Sequence, residues 1–173
     1  MSMNTSIVLT VIADDQPGIV QMISEVLKNH GGNWIQSSMS TLAGKFAGIL
    51  LVSVPGTNSD AFLAELRTLE SKGLRVIAHV SDDETETEKS IQYTLDLVGN
   101  DDVGIVHEIT TLLAKHKINV QELETSVQSA SMGGGEIFRA RAILDVPQST
   151  DMDALEAELE DIAHDLMVDI TFL

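Results

Sequence analysis

Apolar residues along this chain switch between a period of two and a period near 3.6, and the switches mark out elements. Residues 7–13 (Ile-Val-Leu-Thr-Val-Ile-Ala) are mostly apolar and β-branched, as in a strand at the centre of a sheet. A turn over residues 15–18 ends that run. Ile19, Val20, Ile23, Val26 and Leu27 then recur at helical spacing, which predicts about three turns of helix with one apolar face. Lys28, His30, Gly31 and Gly32 bring basic groups and a glycine stop, with His30 where a helix C-terminus favours a cation. Residues 33–41 read as a second strand, 42–45 as a hairpin connection and 46–54 as a third strand. The stretch from Pro55 to Asp60 breaks the pattern and precedes a second helix with Phe62, Leu63, Leu66 and Leu69 on its buried side, which Gly73 ends. Residues 74–80 supply a fourth strand. The order is βαββαβ, the ferredoxin-like arrangement of two interlocked right-handed crossovers.

The pattern then repeats. Residues 93–98 lie over the first strand, Gly104 over Gly18, and Ile105, Val106, Ile109, Leu112 and Leu113 over Ile19, Val20, Ile23, Val26 and Leu27, each pair 86 positions apart. His116 matches His30, and Asn119-Val120 matches Asn33-Trp34. The copies diverge in the hairpin, where residues 129–135 lengthen the loop and the offset becomes 92, as Pro55 and Pro147 show. Beyond it, Phe138, Ala140, Ala142, Leu144 and Val146 alternate with polar residues. Met152, Leu155, Leu159 and Ile162 mark an acidic helix, and residues 167–173 a last strand. The expected architecture is therefore α+β: two ferredoxin-like domains in tandem, with antiparallel sheets and helices on one face. The domains fall at 1–81 and 90–173, joined by a solvated acidic linker at 82–89.

Charge narrows the function. The net charge is −17. Residues 1–81 hold five basic and six acidic side chains, whereas residues 82–173 hold five basic and twenty-one acidic ones. Such a second half repels a phosphate backbone, so direct nucleic-acid binding is not expected, and a solvated surface or a basic protein partner is. The absence of cysteine removes disulfides, thiol nucleophiles and Cys-based zinc sites. The first residues lack the basic start of a signal peptide, and the apolar run 46–54 is too short to span a bilayer, so a soluble cytoplasmic protein is expected, without a membrane partner.

The stretch Asp15-Gln16-Pro17-Gly18-Ile19-Val20 returns as Asp101-Asp102-Val103-Gly104-Ile105-Val106. Glycine permits a tight turn and close approach to the backbone, proline suits a first helical turn, and an aspartate just ahead can cap the helix. Capping is the plainer reading; the functional one is that free N–H groups at a helix start hold a small carboxylate.

Together with Leu27-x-x-His30-Gly31-x-Asn33-Trp34, and with Leu113-x-x-His116-x-x-Asn119-Val120 in the second copy, these residues resemble the ACT domains, small βαββαβ regulatory modules that commonly bind amino acids. Two such domains in tandem resemble the glycine cleavage system transcriptional repressor family. That resemblance implies a regulator that senses a small amino acid, with glycine as the inherited candidate. It would act on transcription indirectly, through a DNA-binding regulator protein. It also implies ligand contact at the strand-to-helix loop and the start of the second strand: Asp15, Gln16, Pro17, Gly18, Ile19 and Asn33 in one copy, Asp101, Asp102, Gly104, Ile105 and Asn119 in the other. Val103 departs from the motif where proline is usual. A regulatory subunit of an amino-acid metabolic enzyme is the alternative, and a homodimer is compatible with either.

No catalytic constellation is legible. The five histidines (His30, His79, His107, His116, His164) lack metal-ligand spacing. His107 and Glu108 are helix neighbours that point apart. Ser37, Ser38 and Ser40 have no neighbouring base. The expectation is a non-enzyme without metal or cofactor.

Overall fold

The computed structural model describes residues 3–81 and 89–173. The chain divides into two units, Met1–Glu84 and Thr85–Leu173. Of the expected linker, residues 82–88 lie outside the described residues; Lys89 is described, and its carbonyl accepts from the Gln148 N–H at 3.1 Å.

The first unit runs β1 (Asn4–Asp14), α1 (Ile19–Asn29), β2 (Asn33–Leu42), β3 (Lys45–Pro55), α2 (Ser59–Thr68) and β4 (Arg75–Val80). Short 3-10 turns at Gly56–Asn58 and Leu69–Lys72 flank α2. The second runs β5 (Ser90–Asn100), α3 (Ile105–Lys115), β6 (Asn119–Ser129), β7 (Glu136–Pro147), α4 (Met152–Leu166) and β8 (Val168–Phe172). Both sheets are antiparallel, in the orders β2-β3-β1-β4 and β6-β7-β5-β8. The expected βαββαβ order thus appears twice, with the inner strands β1, β3, β5 and β7 longer than their apolar runs because ladder pairing continues into the flanking residues.

Each sheet has one face packed under its helices. In the first unit Leu9, Val11, Leu50 and Val52 meet Ile23, Leu27, Phe62 and Leu66, all nearly or fully excluded from solvent. In the second, Leu95, Leu97, Ala142 and Leu144 meet Ile109, Leu113, Leu155 and Leu159. Burying such side chains is the main favourable term in folding, about 1.5–3 kcal/mol for each large one.

The repeat extends to details that periodicity does not carry. Both α1 and α3 end in a Schellman motif: Gly32 N–H donates to Leu27 O and Ile118 N–H to Leu113 O, each at 2.9 Å. The left-handed position is Gly31 in one unit and Lys117, φ +58°, in the other. Both β2 and β6 carry a register shift at the same place, between Trp34 and Gln36 and between Val120 and Glu122.

Candidate functional site

The strand-to-helix turn is built around a glycine in the left-handed region. Gly18 has φ +94° and Gly104 φ +97°. Each stands immediately before its helix, and its carbonyl accepts the first helical hydrogen bond, from Met22 N–H at 2.9 Å and from Glu108 N–H at 3.0 Å. Only a residue without Cβ takes this conformation without strain.

The expectation that aspartate caps these helices is corrected by the structure. Neither α1 nor α3 has a side-chain cap. The reason is positional: the cap residue of each helix is the glycine itself, Gly18 or Gly104, and Asp15 and Asp101 stand three residues before it, tied by their backbone N–H groups to Gly44 O and Glu136 O, each at 2.9 Å. The first-turn N–H groups of both helices are consequently left without a side-chain acceptor, at the positive end of the helix dipole.

Around this turn Asp15, Gln16, Pro17 and Gly18 are exposed, as are Asp101, Asp102 and Gly104. Ile19 and Ile105 are each 3% exposed, with side chains in the cores, so they offer a ligand only their backbone N–H. Val103, at the position of Pro17, has an N–H that proline lacks; it donates to Asp102 Oδ1 at 2.7 Å. That bond steadies the second turn and occupies part of the Asp102 carboxylate.

Asn33 and Asn119 lie elsewhere. Asp14 pairs with Lys45 across β1 and β3, while Asn33 pairs with Ser53 on β3. Eight residues of strand separate those two rows, about 26 Å at 3.3 Å per residue. The second unit repeats the separation, with Asn100 opposite Ile137 and Asn119 opposite Asp145. A small ligand held by one unit alone therefore touches the turn or the asparagine, not both. The reason is topological: α1 carries the chain from one end of the sheet to the other between the two.

At the turn end of the first unit an open cleft is lined by Ile12, Ala13, Asp14, Lys45, Glu70, Gly73 and Arg75. Its charges are paired: Lys45 donates to Asp14, and Arg75 Nε stands 4.0 Å from Glu70 Oε1. The hydrogen bond and charge of Lys45 hold the Asp14 carboxyl below its ordinary pKa.

Sequence reasoning missed a lock between helices at the asparagine end. His30, at the end of α1, meets Glu65 of α2 at 2.7 Å, and His116 meets Glu158 of α4 at 3.2 Å. Lys115 also donates to Glu158 at 2.5 Å and, with His116, lowers its carboxyl pKa. The recurrence of the histidines at the 86-residue offset was a usable signal; the acidic partners, Glu65 and Glu158, are 93 positions apart and fall on neither the 86 nor the 92 offset. His107 and Glu108 are exposed. Among the described residues no group of three or more acidic or histidine side chains is placed to hold a metal ion.

Residues 5–80 match the model of the ACT domain. Over 63 residues the chain is 40% identical to a UPF0237 protein of Methanopyrus kandleri, a match covering 36% of this chain and 68% of that protein. The chain belongs to the ACT-domain family. A solved structure of an unknown protein from Galdieria sulphuraria is similar to this chain over nearly its whole length, with TM-score 0.87, 29% identity and 98% of each chain covered. A second, with TM-score 0.69 over 99% of this chain and 98% of its own, is of a protein whose assignment as a glycine cleavage system transcriptional repressor is itself provisional. At 19% identity that likeness establishes a shared fold. No ACT helix among the described residues is long and apolar enough to cross a membrane.

Proposed function

We propose that this protein is a regulator that binds a small amino acid at the strand–glycine–helix turns of its ACT domains. The observation that carries the reading is the turn itself: built twice, exposed, left-handed at glycine, and without a side-chain cap in either copy. A ligand carboxylate would take the N–H groups at the start of α1 or α3, where the helix dipole favours an anion. The ammonium needs acceptors at the same end of the sheet. Asp15 and Asp101 supply them, in place of the asparagines some 26 Å away.

Control of transcription would be indirect. A chain of net charge −17, most of it in residues 82–173, is repelled by DNA, so it would reach a promoter through a DNA-binding regulator protein with a basic docking face. The fold shared with a protein provisionally assigned as a glycine cleavage system transcriptional repressor makes glycine the first ligand to try.

The test is isothermal titration calorimetry of the purified protein against glycine and then the other amino acids, with Gly18→Ala, Gly104→Ala and Asn33→Ala variants. Saturable binding weakened by the glycine variants and unchanged in Asn33→Ala supports the site. Binding lost only in Asn33→Ala moves it to the other end of the sheet, and no binding of any amino acid refutes the reading. A pull-down with and without the ligand then identifies the partner, and recovery of a metabolic enzyme in place of a transcription factor would overturn the transcriptional part.

A further inference from the structure

The two sheets differ most on the faces turned away from their helices. In the first unit one row across the sheet reads Ser38, Ile49, Thr10, Ile77, and the rows on either side read Gln36, Leu51, Val8, His79 and Ser40, Ala47, Ile12, Arg75. The corresponding central row of the second unit reads Glu124, Arg141, Asp96, Thr171. There Arg141 grips Asp96 with two hydrogen bonds, at 2.7 and 3.1 Å, and holds its carboxyl below the ordinary range. The second face is thus a solvated surface. On the first, Ile12, Ile49 and Ile77 are 46%, 55% and 60% exposed, and charge is confined to the margin: His79 and Arg75 on β4, and the paired Asp14 and Lys45 at the strand ends.

We infer that this open face of the first sheet is where a second copy of the chain docks, face to face, in a two-fold homodimer. Charge selects the partner. The centre of the patch offers a charged protein nothing to pair with, whereas an identical apolar face is its own complement in an isologous contact. The half of the chain that bears the patch has a net charge of only −1, so two copies can approach there; the second half, with twenty-one acidic side chains against five basic, repels its own copy. The area is adequate. Four strands about 4.8 Å apart, over nine residues from Ser6 to Asp14, give a face of roughly 19 by 28 Å, and two such faces bury about 1,000 Å², the lower bound for a specific interface. An apolar centre within a polar margin is the ordinary anatomy of such a contact. This inference does not rest on the amino-acid reading above, because it is argued only from the strand residues on the face opposite the helices, whose margin at Asp14, Lys45 and Arg75 adjoins the turn end of the sheet.

The experiment is sedimentation velocity with light scattering on the full chain over a range of concentrations, for the natural protein and two variants. Ile49→Arg installs the residue that the second sheet carries at the same place. The pair Thr10→Asp with Ser38→Glu does the same at strand positions that bear no core side chain. The natural protein is expected at twice 18.7 kDa, insensitive to high salt, and both variants at 18.7 kDa with unchanged circular dichroism. Should Ile49→Arg fail to fold, the second variant decides. A monomeric natural protein, a dimer dissociated by salt, or a dimer that survives in the folded variants overturns the inference.

Discussion

Replacing Gly18 with alanine tests the turn on which the functional reading rests. At φ +94° an L-residue is strained by about 1–2 kcal/mol. Space does not add to this, because a Cβ on Gly18 would meet nothing nearer than Gln21 Oε1 at 4.0 Å. The expected loss is therefore conformational alone, about 1–2 kcal/mol, equivalent to a fall in Tm of roughly 4–8 °C for each kcal/mol in a domain of this size. Trp34 is the single tryptophan, and it packs against the first core. Its fluorescence during urea unfolding of the full chain therefore reports the first domain separately from the second. Gly73 is the control, with φ +86° and no atom within 4 Å of an added Cβ, so Gly73→Ala should cost about as much. Only Gly18→Ala should weaken amino-acid binding. A Gly18→Ala protein as stable as the natural one would refute the strain argument, a loss above about 3 kcal/mol would show a packing role that the geometry does not contain, and equal loss of ligand binding in Gly73→Ala would remove the turn as the sensor.

Three further outcomes follow from the packing and the charges. Gly48→Ala places a Cβ 2.5 Å from Met39 Cγ and 2.8 Å from Met39 Cα, so the first domain should lose about 1–3 kcal/mol by Trp34 fluorescence, although the second domain has alanine at the equivalent position 140. Asp151 accepts from Ala154 N–H at 3.1 Å as the N-cap of α4, and Asp151→Ala should cost about 1 kcal/mol in the urea midpoint of the second domain by circular dichroism. Glu158 has its pKa lowered in the folded state, first by the Lys115 hydrogen bond and then by His116. The stability from that shift is present above the ordinary glutamate pKa and lost as pH falls through the lowered one, so Lys115→Met should flatten the acid side of the second domain's stability profile.

The sequence by itself determined the element order, the tandem repeat and the buried faces, because these depend on local periodicity and on turn residues that act within a few positions. Ile23, Leu50, Phe62, Leu113 and Leu155 are core residues for reasons visible in one dimension. It also located the two turns, since Gly18 and Gly104 are required by backbone conformation. Tertiary structure decided what stands beside what. The distance between Gly18 and Asn33 depends on which end of the sheet a helix returns to, and the partners of His30 and His116 lie on another helix. Whether Asp15 caps α1 is settled by the turn, which puts Gly18 at the cap position and leaves Asp15 three residues before it. The contrast between Ile49 and Arg141 was present as letters, but only strand register joins Ser38, Ile49, Thr10 and Ile77 into one face. Pairing across strands brings together residues far apart in sequence, and no local pattern records that.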